Sequence, residues 1–521
     1  MVSGGAPRRA GGRRQESSTS DGGIQDRRST PKRIAVVGSG YVGSVVAACF
    51  AHIGHRVVGV ESDPKKLRQL ESGQAPFYEP GLDALIEQSL AAGNLSFSGA
   101  LADAVATCDV LFLCVGTPSA ADGQPDLSAL REAARVIADN LRAGQVIVTK
   151  STVPIGTGRW LSSIITDRLS SRAAEAVPFG IVSNPEFLRE GHAVQDFLHP
   201  DRVVLGSNND LARQAVAEVY RPILEQRIPG YVGGRASVPL VDTGLATAEM
   251  IKYASNGFLA TKISYANEIA RLCEYVGADV TEVTAGMGLD RRVGPAFLDA
   301  GMGWGGSCLG KDLQALLTTA SEYGYRPRLL EASISVNDGQ RQLVIERLLT
   351  SLQSLRGARI CVLGLAFKPY TDDTRDSPGL DVCRRLLARD SFVSAFDPMV
   401  KSTEDLPDLR IASDPYDAAR GADALLLATD WPEFLDLDLR RLRQVMDGDW
   451  IFDGRNMLDP ETVHLAGFRY LGFGRHPISD RQPRIRLLPE PTVIGAGADN
   501  SAADDGISAT PDLAVTPATT D

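Results

Sequence analysis

Three glycines constrain this chain more than any other feature. Gly38, Gly40 and Gly43 form G-x-G-x-x-G directly after the apolar run Arg33–Val37, at the start of a helix-like stretch reaching Phe50. The first glycine permits a tight turn, the second lets backbone approach a pyrophosphate, and the third lets the helix pack closely on the strand. The helix N-terminus behind them presents N–H groups and a partial positive charge. Glu61 follows the next strand-like run, Arg56–Val60, and lies twenty-three residues beyond Gly38. A carboxylate there accepts hydrogen bonds from a ribose and repels a 2′-phosphate, so the pattern predicts a dinucleotide site favouring NAD over NADP. The lone motif is weak evidence; strand, turn, helix and acid in this order are specific.

Further strand-like runs at Val110–Val115 and Val146–Thr149 alternate with helical patterns. Such alternation means a parallel sheet with crossover connections. From Ala246 to about Val276 the chain has no proline and one glycine, Gly257, with apolar residues at helical spacing. That stretch predicts a long spine helix, one face of which is expected to pair with a second subunit. The residues on to about Glu331 also read mainly as helices. Strands at Ala358–Leu363, Phe392–Phe396, Ala422–Ala428 and Trp450–Phe452, with a helix at Leu380–Asp390, restore the alternating pattern. The expected class is α/β: two Rossmann-like parallel-sheet domains joined by a helical central domain. The expected boundaries are a tail at 1–31, a dinucleotide-binding domain at 32–238, a centre at 239–335, a second α/β domain at 336–480 and a tail at 481–521. Both tails read as disordered, because their polar, Gly- and Ala-rich composition offers no core.

Composition removes several function classes. At 521 residues the chain is too long for a single core. A formal net charge of -11 argues against a nucleic-acid binder. Seven cysteines without C-x-x-C pairs, and six histidines that do not cluster with them, argue against both a disulfide framework and a zinc site. No apolar run approaches a membrane span. A soluble cytoplasmic protein that binds no metal, nucleic acid or membrane is expected.

The chemistry concentrates in Phe297–Asp312, F-L-D-A-G-M-G-W-G-G-S-C-L-G-K-D. Glycines at this density let backbone N–H groups converge on an anion, and a lysine near a thiol favours the reactive thiolate. Cys308 therefore stands apart from the other six cysteines, which lie in apolar strands or helices and read as inert thiols. Lys252 and Asn256, spaced i, i+4, share one face of the spine helix. The loop Asn184–Glu190 (N-P-E-F-L-R-E) could position a substrate or be a charged turn. Lys150–Thr157 (K-S-T-V-P-I-G-T) follows a strand and brings hydroxyls within reach of cofactor or substrate.

Ten motifs in order resemble the UDP-glucose/GDP-mannose dehydrogenase family. They are Gly38–Gly43, Phe77–Leu82 (F-Y-E-P-G-L), Gly116–Pro118, Lys150–Pro154, Pro185–Gly191, Glu249–Asn256, Gly305–Asp312, Gly364–Pro369, Thr371–Arg375 and Asp453–Asn456. The resemblance covers nearly all of the chain from Ile34 to Asn456. It implies an N-terminal NAD domain, a helical centre, and a C-terminal domain holding the nucleotide of a sugar. It also implies a homodimer or higher homo-oligomer, and a four-electron oxidation of UDP-glucose to UDP-glucuronate consuming two NAD. By motif position Cys308 would be the nucleophile, passing through a thiohemiacetal and a thioester. Lys252, Asn256 and Asp312 would surround it, with Glu186 and Thr152 assisting. Gly38, Gly40, Tyr41, Val42, Gly43, Glu61, Lys66, Thr117, Thr152, Glu190, Lys311 and Arg375 would touch NAD. Glu186, Phe187, Leu188, Arg189, Glu190, Lys252, Asn256, Phe297, Leu298, Asp299, Ala300, Gly301, Gly305 and Lys368 would bind the nucleotide sugar. Arg292 and Arg455 match positions that hold the substrate, in part across a subunit boundary.

The chain departs from the family in two places. Leu309 and Gly310 follow the nucleophile where an aromatic residue and a proline are usual, and Glu61 stands where aspartate is more usual. Rival readings are the same chemistry on GDP-mannose or a UDP-N-acetylhexosamine, a two-electron hydroxyacid dehydrogenase, and a non-catalytic nucleotide sensor. The last two have no need of Cys308 in a glycine loop.

Overall fold

The computed structural model describes residues 30–118, 125–171, 177–230, 237–403 and 405–475. The two expected tails lie outside these residues, apart from Thr30 and Pro31. The first sheet grows outward from β1 (Arg33–Val37). On one side lie β2 (Arg56–Val60) and β3 (Leu95–Ser98). On the other lie β4 (Val110–Leu113), β5 (Val146–Thr149), β6 (Gly180–Ser183), β7 (Val203–Gly206) and β8 (Leu240–Thr243), giving the order β3-β2-β1-β4-β5-β6-β7-β8. Neighbouring strands are parallel except β6 and β7. β4 and β5 are buried along their whole length, as helices on both faces of a parallel sheet require. The strand order reverses between β1 and β4, where a crevice opens beyond the carboxyl ends of the strands.

The second sheet repeats this plan. It contains β9 (Arg359–Leu363), β10 (Phe392–Phe396), β11 (Arg410–Ile411), β12 (Ala424–Leu427), β13 (Trp450–Asp453) and β14 (Arg469–Leu471), all parallel in the order β11-β10-β9-β12-β13-β14. The analogy extends to the backbone turns. Gly38 follows β1 with φ +90°, and Gly364 follows β9 with φ +104°. A Cβ on Gly43 would sit 1.8 Å from the Gly38 carbonyl oxygen, and one on Gly379 would sit 2.5 Å from that of Gly364. Four residues separate the first pair of glycines and fourteen the second. The longer turn carries Lys368, Asp373 and Arg375.

The spine helix runs Leu245–Val276 and ends at Gly277, whose φ is +77°. Helices Leu309–Glu322 and Arg328–Leu352 pack against it. Two expected boundaries differ from the observed elements. β8 lies beyond residue 238 and pairs with β7 from Val203–Leu240 to Gly206–Thr243, so the first sheet continues past that point. The helix Arg328–Leu352 crosses residue 335 without a break. Its first half faces the spine, while Val344, Ile345 and Leu348 enter the second domain's core. Residues 289–308, expected among helices, form an irregular loop between Val280–Gly288 and Leu309–Glu322. Among the described residues no helix is long and apolar enough to cross a membrane.

Candidate active site

The first half of the site is the mouth of the β1 turn. The first helix, Tyr41–His52, has Gly40 at its N-cap and no side chain capping it, so its N–H groups face the crevice. A Cβ on Gly38 would press on Cys114 and Val115 at 3.0 Å, whereas one on Gly40 would meet nothing within 4 Å. The glycine with room above it is the one a pyrophosphate must approach. Glu61 is buried and accepts a hydrogen bond from the Asp63 N–H at 2.9 Å, which fixes its carboxylate at the end of β2. Thr117 donates its hydroxyl to the Thr152 carbonyl at 2.8 Å, tying the loops after β4 and β5 together. Lys66 lies on an exposed helix face beyond Asp63. These residues fit a dinucleotide: an open helix N-terminus for two phosphates and a fixed carboxylate for a ribose.

The second half gathers side chains from three separate segments. Lys252 donates to Glu186 at 2.8 Å, with both side chains almost wholly buried. The other Glu186 oxygen accepts the Leu188 N–H at 2.7 Å. One turn along the spine, Asn256 donates to Asp312 at 2.6 Å, and Lys311 closes on the second Asp312 oxygen at 2.8 Å. Cys308 lies between the two clusters at the start of the helix Leu309–Glu322. It is the one exposed cysteine of the seven.

Burial and neighbouring charges shift the pKa values of this cluster. Burial works against the Glu186 carboxylate, but Lys252, the Leu188 N–H and Lys150 together hold its pKa below the usual value. Burial likewise opposes the Lys252 ammonium, yet Glu186, Asp312 and the Cys308 sulfur keep its pKa above the lysine range. Although Cys308 opens to solvent, desolvation by the surrounding protein and then Glu186 push its thiol up, and Lys252 offsets only part of this. Lys311 is engaged by Asp312, and Lys252 is a cation whose charge lowers the thiol pKa.

A seam of charges joins the two α/β domains. Glu190 lies beside Thr371, whose hydroxyl is 3.3 Å from it, and Arg375, 3.5 Å away; Arg375 also grips Asp373 at 2.7 Å. Burial and the neighbouring Asp373 carboxylate raise the Glu190 pKa to about 7. Burial lowers that of Lys368, against the pull of Glu190. Arg455 donates to the Ala428 carbonyl at 2.8 Å and to that of Gly303 at 3.3 Å, so it lies under the glycine loop. Within that loop Phe297 has φ +63°, Leu298 and Ala300 are buried and Asp299 is exposed. A Cβ on Gly301 would strike the Gly454 carbonyl at 2.6 Å, and one on Gly305 that of Asp376 at 2.2 Å. The loop therefore seats directly on the second domain.

Some expected residues point elsewhere. Arg189 is held by Asp196 at 2.7 Å, and the Arg292 side chain is 89% exposed and pairs with Asp290 two residues away. Phe187 stacks under Arg202, 3.8 Å from its ring, and lies 5.5 Å from the Lys252 ammonium. Gly310 occupies the first turn of its helix, where a Cβ would make ordinary contacts with Trp304 at 3.5 Å and Asp376 at 3.7 Å. Nothing steric demands glycine there.

Two residues inside the recognised motifs have roles that their spacing did not reveal. Buried Glu79, from F-Y-E-P-G-L, accepts the Tyr41 hydroxyl and the N–H groups of Gly191 and Ala193 at 2.6 and 2.7 Å. It joins the dinucleotide helix to the loop carrying Glu186. Buried Lys150 donates to Asn184 and Tyr220, each at 3.1 Å, and desolvation lowers its pKa to about 8.

Two Rossmann-type sheets, joined along a seam of charges, and a Lys–Glu and Asn–Asp–Lys cluster around a cysteine define a nucleotide-dependent dehydrogenase. The chain belongs to the UDP-glucose/GDP-mannose dehydrogenase family. Residues 32–224 match its NAD binding domain, 246–339 its central domain and 361–460 its UDP binding domain. NAD is accordingly the cofactor. The UDP-glucose 6-dehydrogenase of Rhizobium meliloti (strain 1021) is 45% identical over 449 residues, covering 85% of this chain and 99% of that protein. The UDP-glucose 6-dehydrogenase TuaD of Bacillus subtilis (strain 168) is 41% identical over 461 residues, covering 88% and 96%. A solved UDP-glucose dehydrogenase from Pyrobaculum islandicum superposes with a TM-score of 0.78 at 36% identity, covering 87% of this chain and all of that one.

Proposed function

We propose that this chain oxidises UDP-glucose to UDP-glucuronate in two NAD-dependent steps on one site, with Cys308 as nucleophile. The observation that carries this reading is that the Lys252–Glu186 pair and the Asn256–Asp312–Lys311 cluster gather around Cys308, whose thiol feels the charges of Glu186, Lys252 and Asp312. The names of the relatives support UDP-glucose over GDP-mannose or a UDP-N-acetylhexosamine. Bound NAD supplies a hydride acceptor twice over. Glu186, ionised at neutral pH, takes the alcohol proton through an ordered water, aided by the Thr152 hydroxyl. The aldehyde then gains a bond from the Cys308 sulfur, and the thiol proton passes to the aldehyde oxygen. Loss of hydride from that tetrahedral carbon and of the hydroxyl proton leaves a thioester. Lys252 and Asn256 stabilise charge developing on the oxygen. Water oriented by Asp312 adds, the carbon–sulfur bond breaks, and the sulfur recovers a proton.

The UDP moiety is assigned to the second sheet's long turn, with Lys368 and Arg455 as its cations. Arg375 and Glu190 lie at the NAD boundary. The exposed Arg292 has no role in its own subunit's site; we assign it to the site of a second copy. Exposed Phe258, Tyr265 and Leu272, spaced seven residues apart on the spine, with exposed Tyr275 one turn further on, support a homodimer through that helix. Seven cysteines, none of them in a disulfide, fit the reducing cytoplasm. The test is NADH formed per sugar consumed, with UDP-glucose, GDP-mannose and UDP-N-acetylglucosamine supplied separately. Two NADH per UDP-glucose and little from the others is expected; one NADH per sugar would refute the thioester route.

A further inference from the structure

We propose that Asn267, Asn337 and Gln340 are positioning residues that clamp the glycine loop and so set Cys308 at the height the second oxidation requires. The proposal rests on the two-step reading above. The loop Gly301–Ser307 has almost no rigidity of its own, with four glycines in seven residues, two of them at φ +91° and +85°. Besides the Gly454 carbonyl on the Met302 N–H and the arginines Arg341 and Arg455 on the Trp304 and Gly303 carbonyls, two helices present buried amides to it. From the spine, Asn267 accepts the Gly301 N–H at 2.7 Å. From the helix Arg328–Leu352, Gln340 donates to the Gly301 carbonyl at 2.7 Å. One turn away, Asn337 accepts the Trp304 N–H at 2.7 Å and donates to the Trp304 carbonyl at 3.1 Å.

The three amides are at most 1% exposed. Buried amides are costly unless paired; the amides of Asn337 and Gln340 and the Asn267 oxygen meet loop backbone rather than one another, while the Asn267 nitrogen has no partner among the described residues. The clamp therefore holds two peptide units, at 301 and 304, seven and four residues upstream of the sulfur. Even a Cβ on Gly303 would lie 2.4 Å from Asn337.

Removal of hydride from the alcohol needs Glu186 and Lys252, which the loop does not carry. The second oxidation needs sulfur within bonding distance of the aldehyde carbon, so a slack loop penalises that step selectively. A displacement near 1 Å costs about 10²-fold in such a geometry.

The test uses purified full-length protein with Gln340→Met, which removes one hydrogen bond at similar volume, and Asn337→Ala. Three readouts are taken: NADH per UDP-glucose, aldehyde trapped with hydroxylamine, and the rate at which iodoacetamide alkylates Cys308, the exposed cysteine. The variants are expected to fall from two NADH towards one, to release aldehyde, and to lose about 10²-fold in acid formation. Their NADH affinity should stay within about twofold of the parent, because the dinucleotide turn is untouched. Should Asn337→Ala fail to fold, Gln340→Met decides the matter. A folded Gln340→Met that keeps two NADH per sugar and the parent's alkylation rate overturns the clamp. If the parent itself makes no NADH from UDP-glucose, the substrate reading has failed. The alkylation rate then still decides the clamp: a several-fold change sustains it, and an unchanged rate refutes it.

Discussion

Replacing Lys252 with methionine tests the electrostatics of the site most directly. The ammonium and the Glu186 carboxylate meet at 2.8 Å, with side chains 6% and 7% exposed. Deleting one member leaves the other charge buried and uncompensated, a loss of about 3–5 kcal/mol in stability. Lys252→Met also removes a donor to the developing oxyanion, which costs about 10²–10³ in kcat. The pH dependence of stability should reverse as well. In the parent, Glu186 has a depressed pKa. Its contribution is therefore present above the ordinary glutamate pKa, about 4.3, and is lost as pH falls through the depressed value. Without Lys252, burial dominates and the carboxyl pKa rises, so the variant loses stability as pH climbs from acid towards neutral. Adding Glu186→Gln should recover most of the stability, since no buried charge is left, while turnover stays low. Urea unfolding at pH 5 and pH 7, with kcat and KM measured on the same preparations, checks all of this. A folded Lys252→Met enzyme with turnover within a few-fold of the parent, or one altered only in KM, would refute the oxyanion role. A double variant no more stable than Lys252→Met would refute the pairing argument.

Cys308→Ser should stop formation of acid while NADH binding, followed by its fluorescence, is unchanged; normal acid production would end the nucleophile assignment. Gly40→Ala should fold normally but lose NAD affinity, because its methyl group enters the space above the turn. Gly43→Ala should unfold or fail to express, because its Cβ would lie 1.8 Å from a carbonyl oxygen; thermal melts and NADH titrations separate the two. Glu190 has a pKa raised to about 7, so the parent should lose stability as pH rises from about 4.5 and level off above 7; Glu190→Gln should flatten that slope in urea titrations. Gly310→Ala should stabilise the helix Leu309–Glu322 by about 0.5–1 kcal/mol, since glycine is a poor helix former and the added methyl makes only ordinary contacts; an unchanged or lower Tm would contradict this.

Much of this protein is legible in the linear chain, because its strongest constraints are local. A strand, a G-x-G-x-x-G turn and a helix are contiguous, so Gly38, Gly40 and Gly43 could be assigned from spacing alone. The bounds of β1, β2, β5 and β10 coincide with the apolar runs that announce them. The spine helix begins one residue before its expected start. Cys308 stands out because glycines surround it. What spacing could not show is which distant charges meet. Lys252 and Glu186 are 66 residues apart and Asn256 and Asp312 are 56 apart, so only the packed fold decides that these are the partners. Glu79 and Lys150 sat inside recognised motifs without a role, since nothing in a motif says that a carboxylate will cap two N–H groups 112 and 114 residues away. The amides of Asn267, Asn337 and Gln340 look like ordinary polar positions on long helices. Their burial against a glycine loop is a tertiary fact, because the cost of hiding an amide depends on whether a partner is there to meet it.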